Sequence, residues 1–386
     1  MKKTTTISPA VHAANDLTGQ WCARLGDEDF VASGAGLWPL LALLASAADE
    51  TAASELAAAI GRPAESAVQD ALELISLLRA GESTTAALGL WTRRGLPLHE
   101  EWASQLPAGV IGTLTDQAAL DRWASQETSG LIEKFPLELT PEMVMVLASA
   151  LAAKVKWCAP FDARPRSGDW KSTEPDQQWL SRVTHDLAAA AVLDGAVTRV
   201  IVEGDGDVDV HLLLGDSQPA DVLGAGLGEL SGEAEVCPAT EFKGRGPGLQ
   251  VRRVESWEPY DSFRLDLPSF EITARHDLME YADLFGLRPL TDLDTSHLPQ
   301  LSPVPLSISE GAQSVLARFF AEGFEAAAVT AFSAIVTGGA PVARYTVTRV
   351  NVDFDRPFGF IAVHRPSRLA VVAGWVSSPF QEGSSQ

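Results

Sequence analysis

A chain of 386 residues, 46% hydrophobic and 21% charged, has the composition of a globular protein with a substantial core, and its length admits either two or three domains or one large fold. A formal net charge of −22 repels phosphate backbones and anionic membrane surfaces, which argues against nucleic-acid binding and is otherwise a source of solubility. Three scattered cysteines, Cys22, Cys158 and Cys237, and seven dispersed histidines form neither a disulfide framework nor a metal site. No metal or cofactor is therefore expected. The N-terminal MKKTTTISPAVHAAND carries two lysines with no apolar run behind them, so no secretory signal is read there and a cytoplasmic location is expected. The longest apolar stretch, residues 37–48, is too short to span a bilayer.

In chain order, the first 130 residues read as mostly helical. One helix is expected through LLALLASAADETAASELAAAI, with Pro39 in its first turn and Gly61-Arg62-Pro63 ending it. AESAVQDALELISLLRAG repeats the helical period, with Ala67, Ala71, Leu74 and Leu78 on one face. TTAALGLW at 84–91 is a short β-like run, and ALDRWASQETSGLIEKFP a helix ending near Ser129-Gly130. MVMVLASALAAKVKW at 143–157 is almost continuously apolar, the pattern of a strand buried on both faces. From about 195 the texture changes. TRVIVEGDGDVDVHLLLGD alternates and turns on Gly and Asp, as a hairpin does. SFRLDLPSFEITARHDL is an alternating strand kinked at Pro268, and LMEYADLFGL a short helix closed by Gly286. VLARFFAEGFEAAA, YTVTRVNVDF and FGFIAVHRPSRLAVVAGWV are strands. Helices first and strands later predict an α+β fold with helices packed on antiparallel sheets.

The most informative pairing is EGFEAAAVTAFSA at 322–334 followed by FDRPFGF at 354–360. A small-residue run opens a long stretch with little reason to pack, and an aromatic strand closes it. With FVASGAGLWPLLALLASAA, ALDRWASQETSGLIEKFP, MVMVLASALAAKVKWCAPF, the segment beginning DSFRLDLPSF, and FDRPFGFIAVHRPSRLAVVAGWVSSP in that order, nearly the whole chain resembles the serpins. It is identified as a bacterial, actinomycete-like member with a divergent hinge and shutter. The resemblance implies one domain over 1–386, three mixed or antiparallel β-sheets, eight or nine helices, and an exposed reactive-centre loop at about 324–344.

It also implies the site. The hinge would be Gly323, Phe324, Glu325, Ala326, Ala327 and Ala328, with the small side chains of Ala326, Ala327 and Ala328 letting the loop slide between two strands. Alternation places Phe324, Ala326, Ala328 and Thr330 on one face and Glu325, Ala327, Val329 and Ala331 on the other. An alanine-rich helix is the competing reading of this run. The family's spacing from Gly323 puts the reactive bond at Thr337-Gly338, suited by Ile335 and Val336 to a small or aliphatic pocket. Arg344 is a second candidate, aimed at trypsin-like enzymes. Trp157 falls at the breach. Phe324 departs from the pattern, since inhibitory members carry a small residue there, and overpacking costs about 1–3 kcal/mol. In the shutter, Ser33 and Gly36 stand for the two serines, Ser149 for asparagine and Gln313 for histidine. A bond between Gln313 and Ser149 is expected to keep a reduced network, each lost buried partner costing about 1–3 kcal/mol.

Elsewhere, Asp205, Asp207 and Asp209 read as a solvated turn rather than a calcium loop. Cys158 reads as a buried structural thiol rather than a reactive one, and Trp157 and Trp375 as core. No nucleophile elbow, P-loop or zinc motif occurs. The leading functional expectation is a monomeric suicide-substrate inhibitor of serine proteases (subtilisin-like, elastase-like or trypsin-like) that supplies no catalytic residue and inserts its cleaved loop into the central sheet. Two alternatives stay open: a non-inhibitory binding protein, or a scaffold recruited as a small-molecule biosynthetic enzyme. The latter requires a concave pocket with convergent titratable groups.

Overall fold

Caps written into the sequence divide the helical first third. The computed structural model describes residues 7–164, 178–292, 294–324 and 344–377. It opens with α1 (Pro9–Cys22), β1 (Phe30–Ala32), α2 (Gly34–Ala47), α3 (Glu50–Ile60) and α4 (Ala64–Arg79). The single helix expected across residues 40–60 is two helices. Ala48 is extended, and the Asp49 carboxylate accepts the Ala52 N–H to start α3, as a short acidic side chain does at an orphan helix terminus. Gly61 then ends α3 at φ 63°. Pro39 lies inside α2, beyond its first turn. The expected face of α4 is buried: Ala67, Ala71, Leu74 and Leu78 all point inward.

The chain continues through β2 (Thr84–Thr92), α5 (Glu100–Ala103), β3 (Ile111–Thr113), α6 (Gln117–Glu127), β4 (Met145–Ala153), β5 (Val155–Lys156), β6 (Asp162–Arg164) and β7 (Trp179–Thr184). The hairpin-rich middle follows, with β8 (Ala190–Leu193), β9 (Val197–Val202), β10 (Val208–Leu214), α7 (Pro219–Ser231), β11 (Val236–Pro238), β12 (Leu249–Ser256), β13 (Ser262–Pro268) and β14 (Phe270–Asp277). Last come β15 (Ala312–Phe319), β16 (Gly323–Phe324), β17 (Tyr345–Asp353), β18 (Phe358–His364) and β19 (Leu369–Val376). The α+β class with mixed and antiparallel sheets holds, with seven α-helices and three short 3-10 turns among the described residues. One of those turns, Leu278–Tyr281, is all that forms of the helix expected over LMEYADLFGL, while Gly286 closes the segment at φ 66° as anticipated.

Seven strands, in the order β1-β19-β18-β10-β9-β8-β11, form an antiparallel sheet. Its inner strands β10, β18 and β19 are buried along their whole length. One face packs on α1 and α2 with the main core, and the other is covered by α7 through Val222, Leu223 and Leu227. A five-stranded sheet runs β12-β17-β13-β7-β6. Pro268 marks more than a kink: the chain leaves β13 in this sheet and re-enters as β14 in another, since proline donates no ladder bond and suits a strand end. The remaining strands make the central sheet in two halves, β3-β2-β4 and β14-β15-β16-β5. Phe270, on β14, stacks on Phe319 of β15 at 5.4 Å and meets Phe360 of β18 at 4.9 Å, tying the central sheet to the sheet behind it.

In the five-stranded sheet, β13 and β17 run parallel, with Asp266 directly opposite Asp353. Burial, followed by the nearby charges of Asp355 and Asp266, pushes the Asp353 carboxyl up to about 6, against the opposing pull of Arg264 and Arg356. A carboxyl that holds its proton more tightly folded than unfolded stabilises the fold at low pH, and this contribution is lost as pH rises from about 4 to about 6. The variant Asp353→Asn is therefore expected to melt above the parent at about pH 7.5 and level with it near pH 4 in calorimetric scans. A constant difference at both pH values would show that Asp353 is not the group responsible.

Candidate functional site

The two halves of the central sheet meet at a clamp. Three consecutive carbonyls of the turn after β15 accept hydrogen bonds from the segment after β5. The Phe320 carbonyl takes the Trp157 indole Nε1–H at 2.9 Å, the Glu322 carbonyl the Trp157 amide at 2.9 Å, and the Ala321 carbonyl the Phe161 amide at 2.8 Å. The Trp157 ring lies 4.7 Å from Phe319 and is itself buried. This fixes the following two residues as β16, where Gly323 faces Lys156 and Phe324 faces Val155. A Cβ on Gly323 would overlap the Val155 carbonyl, so only glycine permits the approach. Of the residues expected at the hinge, Gly323 and Phe324 form β16, while Glu325, Ala326, Ala327 and Ala328 lie outside the described residues. Phe324, flagged as too bulky, is 3% exposed and packed within the main core, its ring 6.3 Å from Phe360.

Below the clamp, no ladder joins β4 to β15 among the described residues. A cavity of about 160 Å³ runs between them, lined by residues 147–153 and 311–316, with Phe324 at its head. A second cavity of about 180 Å³ continues it downward past Leu40, Leu147 and Leu278. Strand β4 was expected to be buried on both faces. Instead burial alternates. Val146 and Ala148 pack beneath α6 with Leu120 and Ala124, while Met145, Leu147, Ser149 and Leu151 on the other face remain partly accessible.

The expected shutter residues do converge, through different bonds from those anticipated. The Ser33 amide donates to Gln313 Oε1 at 3.0 Å, and Gln313 Nε2 donates back to the Ser33 carbonyl at 2.9 Å. Ser33 Oγ donates to the Val371 carbonyl at 2.7 Å and accepts the Gly36 amide at 3.0 Å. Ser149 Oγ donates to the Gly36 carbonyl, so the expected bond between Gln313 and Ser149 is not made. A Cβ on Gly36 would stand a tight 3.3 Å from Ser33 Oγ and in ordinary contact, 3.5 Å, with Gln313 Nε2. Sequence reasoning missed His276, the cross-strand partner of Gln313. Its Nε2 lies 2.8 Å from the Val31 carbonyl and so carries the hydrogen, and its ring meets Trp21 edge-on at 5.0 Å. Burial holds its pKa below the usual histidine value, with the bond to Val31 opposing.

Thr337 and Gly338 lie outside the described residues. Arg344 is described and exposed, and its amide donates to the Ser256 carbonyl at 2.9 Å, extending the β12–β17 ladder by one residue. Cys158 is exposed rather than buried, with Sγ 3.1 Å from the Gly204 carbonyl. Cys22 is fully buried, which pushes its thiol up to about 12. Of the three aspartates, Asp205 is exposed, while Asp207 and Asp209 are tied down rather than solvated. Burial opposes ionisation of Asp207, but amides of Glu82 and Ser83 hold its carboxyl below the ordinary range. Asp209 takes a bidentate pair from Arg365 at 2.6 and 2.7 Å.

One grouping meets the geometric outline of an enzyme. Ser367 Oγ is 2.7 Å from His364 Nδ1, and His364 Nε2 is 3.4 Å from Asp207 Oδ2, beside a groove of about 530 Å³. Its bonds are consumed in structure. Ser367 Oγ accepts the Leu369 amide, closing the β18–β19 turn. The Arg365 and Arg368 amides donate to the Asp207 and His364 carbonyls, so neither is directed at a developing oxyanion.

The family model of serpins, serine protease inhibitors, matches residues 11–177 and 248–379, well over half of the chain. The chain belongs to the serpin family. Among its relatives, a putative serpin-Z8 of Oryza sativa subsp. japonica is 25% identical over 91% of this chain and 87% of its own length. Of solved structures, the thermophilic serpin tengpin in its native state superposes with a TM-score of 0.70 at 17% identity, covering 95% of this chain and 94% of that one. Thyroxine-binding globulin in complex with thyroxine gives 0.70 at 16%, covering 96% and 99%.

Removing the Ser33 hydroxyl deprives both the Val371 carbonyl and the Gly36 amide of a partner. Ser33→Ala is expected to lower stability by about 2–3 kcal/mol in urea unfolding, against about 1 kcal/mol for Ser149→Ala, which removes one bond. Equal effects would show that the doubly bonded hydroxyl carries no special weight.

Proposed function

We propose that this chain is a suicide-substrate inhibitor of serine proteases, cleaved at Thr337-Gly338 and then taking residues 324–337 into its own central sheet. The reading places the whole of 1–386 in one domain, acting as a monomer in the cytoplasm. The observation that carries it is the seating of Phe324: the ring flagged as an obstacle is already buried at the head of the cavity that separates β4 from β15. Any overpacking at this position has been relieved before the next residue enters, so the hinge retains its route.

Continuing the Gly323↔Lys156 and Phe324↔Val155 register sets each later residue opposite a partner on β4. Ala326 would meet Ala153, Ala328 would meet Leu151, Thr330 would meet Ser149 and Phe332 would meet Leu147. These face the core with Phe324, because directly paired residues share a face of the sheet. Ala327, Val329 and Ala331 would lie beneath α6, where small side chains match a face already filled by Leu120 and Ala124. Thr337 is favoured over Arg344 as the reactive residue because the Arg344 amide is committed to Ser256, whereas a bound protease needs several free extended residues on either side of the bond it cuts.

The test is a thermal melt before and after limited nicking within 324–344 by elastase or subtilisin. A rise of tens of degrees, and a complex with the target that survives SDS, are expected for the parent chain. Ala326→Arg places a charge where the core-facing hinge enters, and burying an unpaired charge costs several kcal/mol. That variant is expected to be cut as an ordinary substrate, with neither complex nor rise. A parent chain that nicks without gaining stability would overturn the inhibitor reading and direct attention to ligand carriage.

A further inference from the structure

We propose that the outer face of β12 and β17 is a docking surface for an acidic, partly apolar segment of the protease that the loop engages; the identity of that partner rests on the inhibitor reading above. The pairing register sets Arg252 of β12 directly opposite Arg349 of β17. Both are exposed, and neither makes a side-chain hydrogen bond or ion pair with any described residue. Like charges directly opposed across a ladder destabilise it. A chain with 51 acidic residues has ample means to neutralise them, and does so for neighbours. Arg264 on β13 is held by Asp266 at 2.6 and 3.0 Å, and Arg356 by Asp355 and Asp216. Near the opposed pair, Asp261 is spent on the Thr348 amide, and Glu255 lies on the opposite face of β12.

The surroundings are apolar in the manner of an interface. Tyr345 shares the face of Arg349 and is 46% exposed, while Trp257 and Tyr260, in the turn leaving β12, are 55% and 62% exposed. Arginine, tryptophan and tyrosine, here exposed on the same two strands and the turn that leaves β12, are the residue types that dominate binding energy at protein interfaces. Arg344, where the described chain resumes after the loop, adds a further exposed cation at the same edge. A protease gripping the loop would therefore sit within reach of this face. A polyanion such as a sulfated polysaccharide is disfavoured, because so few cations within a field of −22 give little counterion release to drive binding. A short acidic segment with an aromatic or aliphatic side chain satisfies both the opposed arginines and the exposed rings.

The probe is a fluorescein-labelled acidic dodecapeptide of aspartate, glutamate and one phenylalanine, titrated with the full chain at about 50 and about 200 mM NaCl. Binding that weakens with salt is expected, reduced about fivefold or more in Arg252→Ala/Arg349→Ala and unchanged in Lys243→Ala. Loss of the opposed charges is expected to leave the melting temperature of the double variant at or above that of the parent, which separates lost docking from lost folding. Equal binding by parent and double variant, or binding of heparin but not of the peptide, would overturn the proposal. The same variants are nicked in the loop and melted. Absence of a rise with peptide binding intact counts against the inhibitor reading alone, and lost specificity for the arginines with the rise intact counts against the docking surface alone.

Discussion

The rest of the structure depends on three carbonyls being held in sequence. The turn from β15 to β16 would otherwise be an edge loop free to choose its exit. Trp157 and Phe161 take the carbonyls of residues 320, 321 and 322 in one stretch. The chain therefore leaves the turn as a short strand aimed down the space between the halves of the central sheet. The indole contributes both its polar edge and its face, bonding to Phe320 and packing on Phe319, a combination that neither phenylalanine nor tyrosine reproduces. Gly323 and Phe324 take their direction and their register from this clamp.

The polar residues deeper in the core follow the same economy. Gln313 spends both of its amide atoms on a single residue, Ser33, so that β15 is stitched to the start of α2 through a closed ring of two hydrogen bonds. Ser33 then reaches the last strand through Val371, and Ser149 reaches α2 through Gly36. Halves of a sheet that share no ladder below the clamp among the described residues are thus each fastened to the helix behind them. Such an arrangement keeps both edges in place while leaving the contact between them weak.

Much of the fold was legible because periodicity and order survive when identity does not. The buried face of α4, the strand character of β2 and β4, the β9–β10 hairpin and the closing aromatic strands all follow from spacing that single residues state openly. The failures share a cause: they needed a partner distant in the chain. Nothing local told Ala48 to break a helix that alanine favours, until Asp49 is seen to cap α3 and to meet His297 at 2.8 Å. The exposure of Cys158 follows from the approach of Gly204, and the roles of Asp207 and Asp209 from Ser83 and Arg365. The site was legible as a set of residues but not as a set of bonds. Ser33, Gly36, Ser149 and Gln313 meet in one network and Trp157 lies apart at the clamp, yet which atoms pair is not stated by any of these residues alone. His276 escaped because its significance is its cross-strand position beside Gln313, and a register between β14 and β15, separated by a long connection, is not written in either strand.

The bond from Ser33 to Val371 joins residues 338 positions apart, and among the described strands the ladder partner of β1 is β19. A ribosome delivers the first helices long before the strand that completes them. During synthesis, α1 and α2 can pack on each other and on α3 and α4, but their contacts with β19 come last, and the five-stranded sheet likewise waits for β17, which pairs with both β12 and β13. Long-range closure of this kind is slow, and a nascent chain in this state presents unpaired edges to its neighbours. Until the β18–β19 hairpin forms, Phe270 and Phe324 lack the Phe360 ring against which they pack, so the backing of the central sheet is completed late.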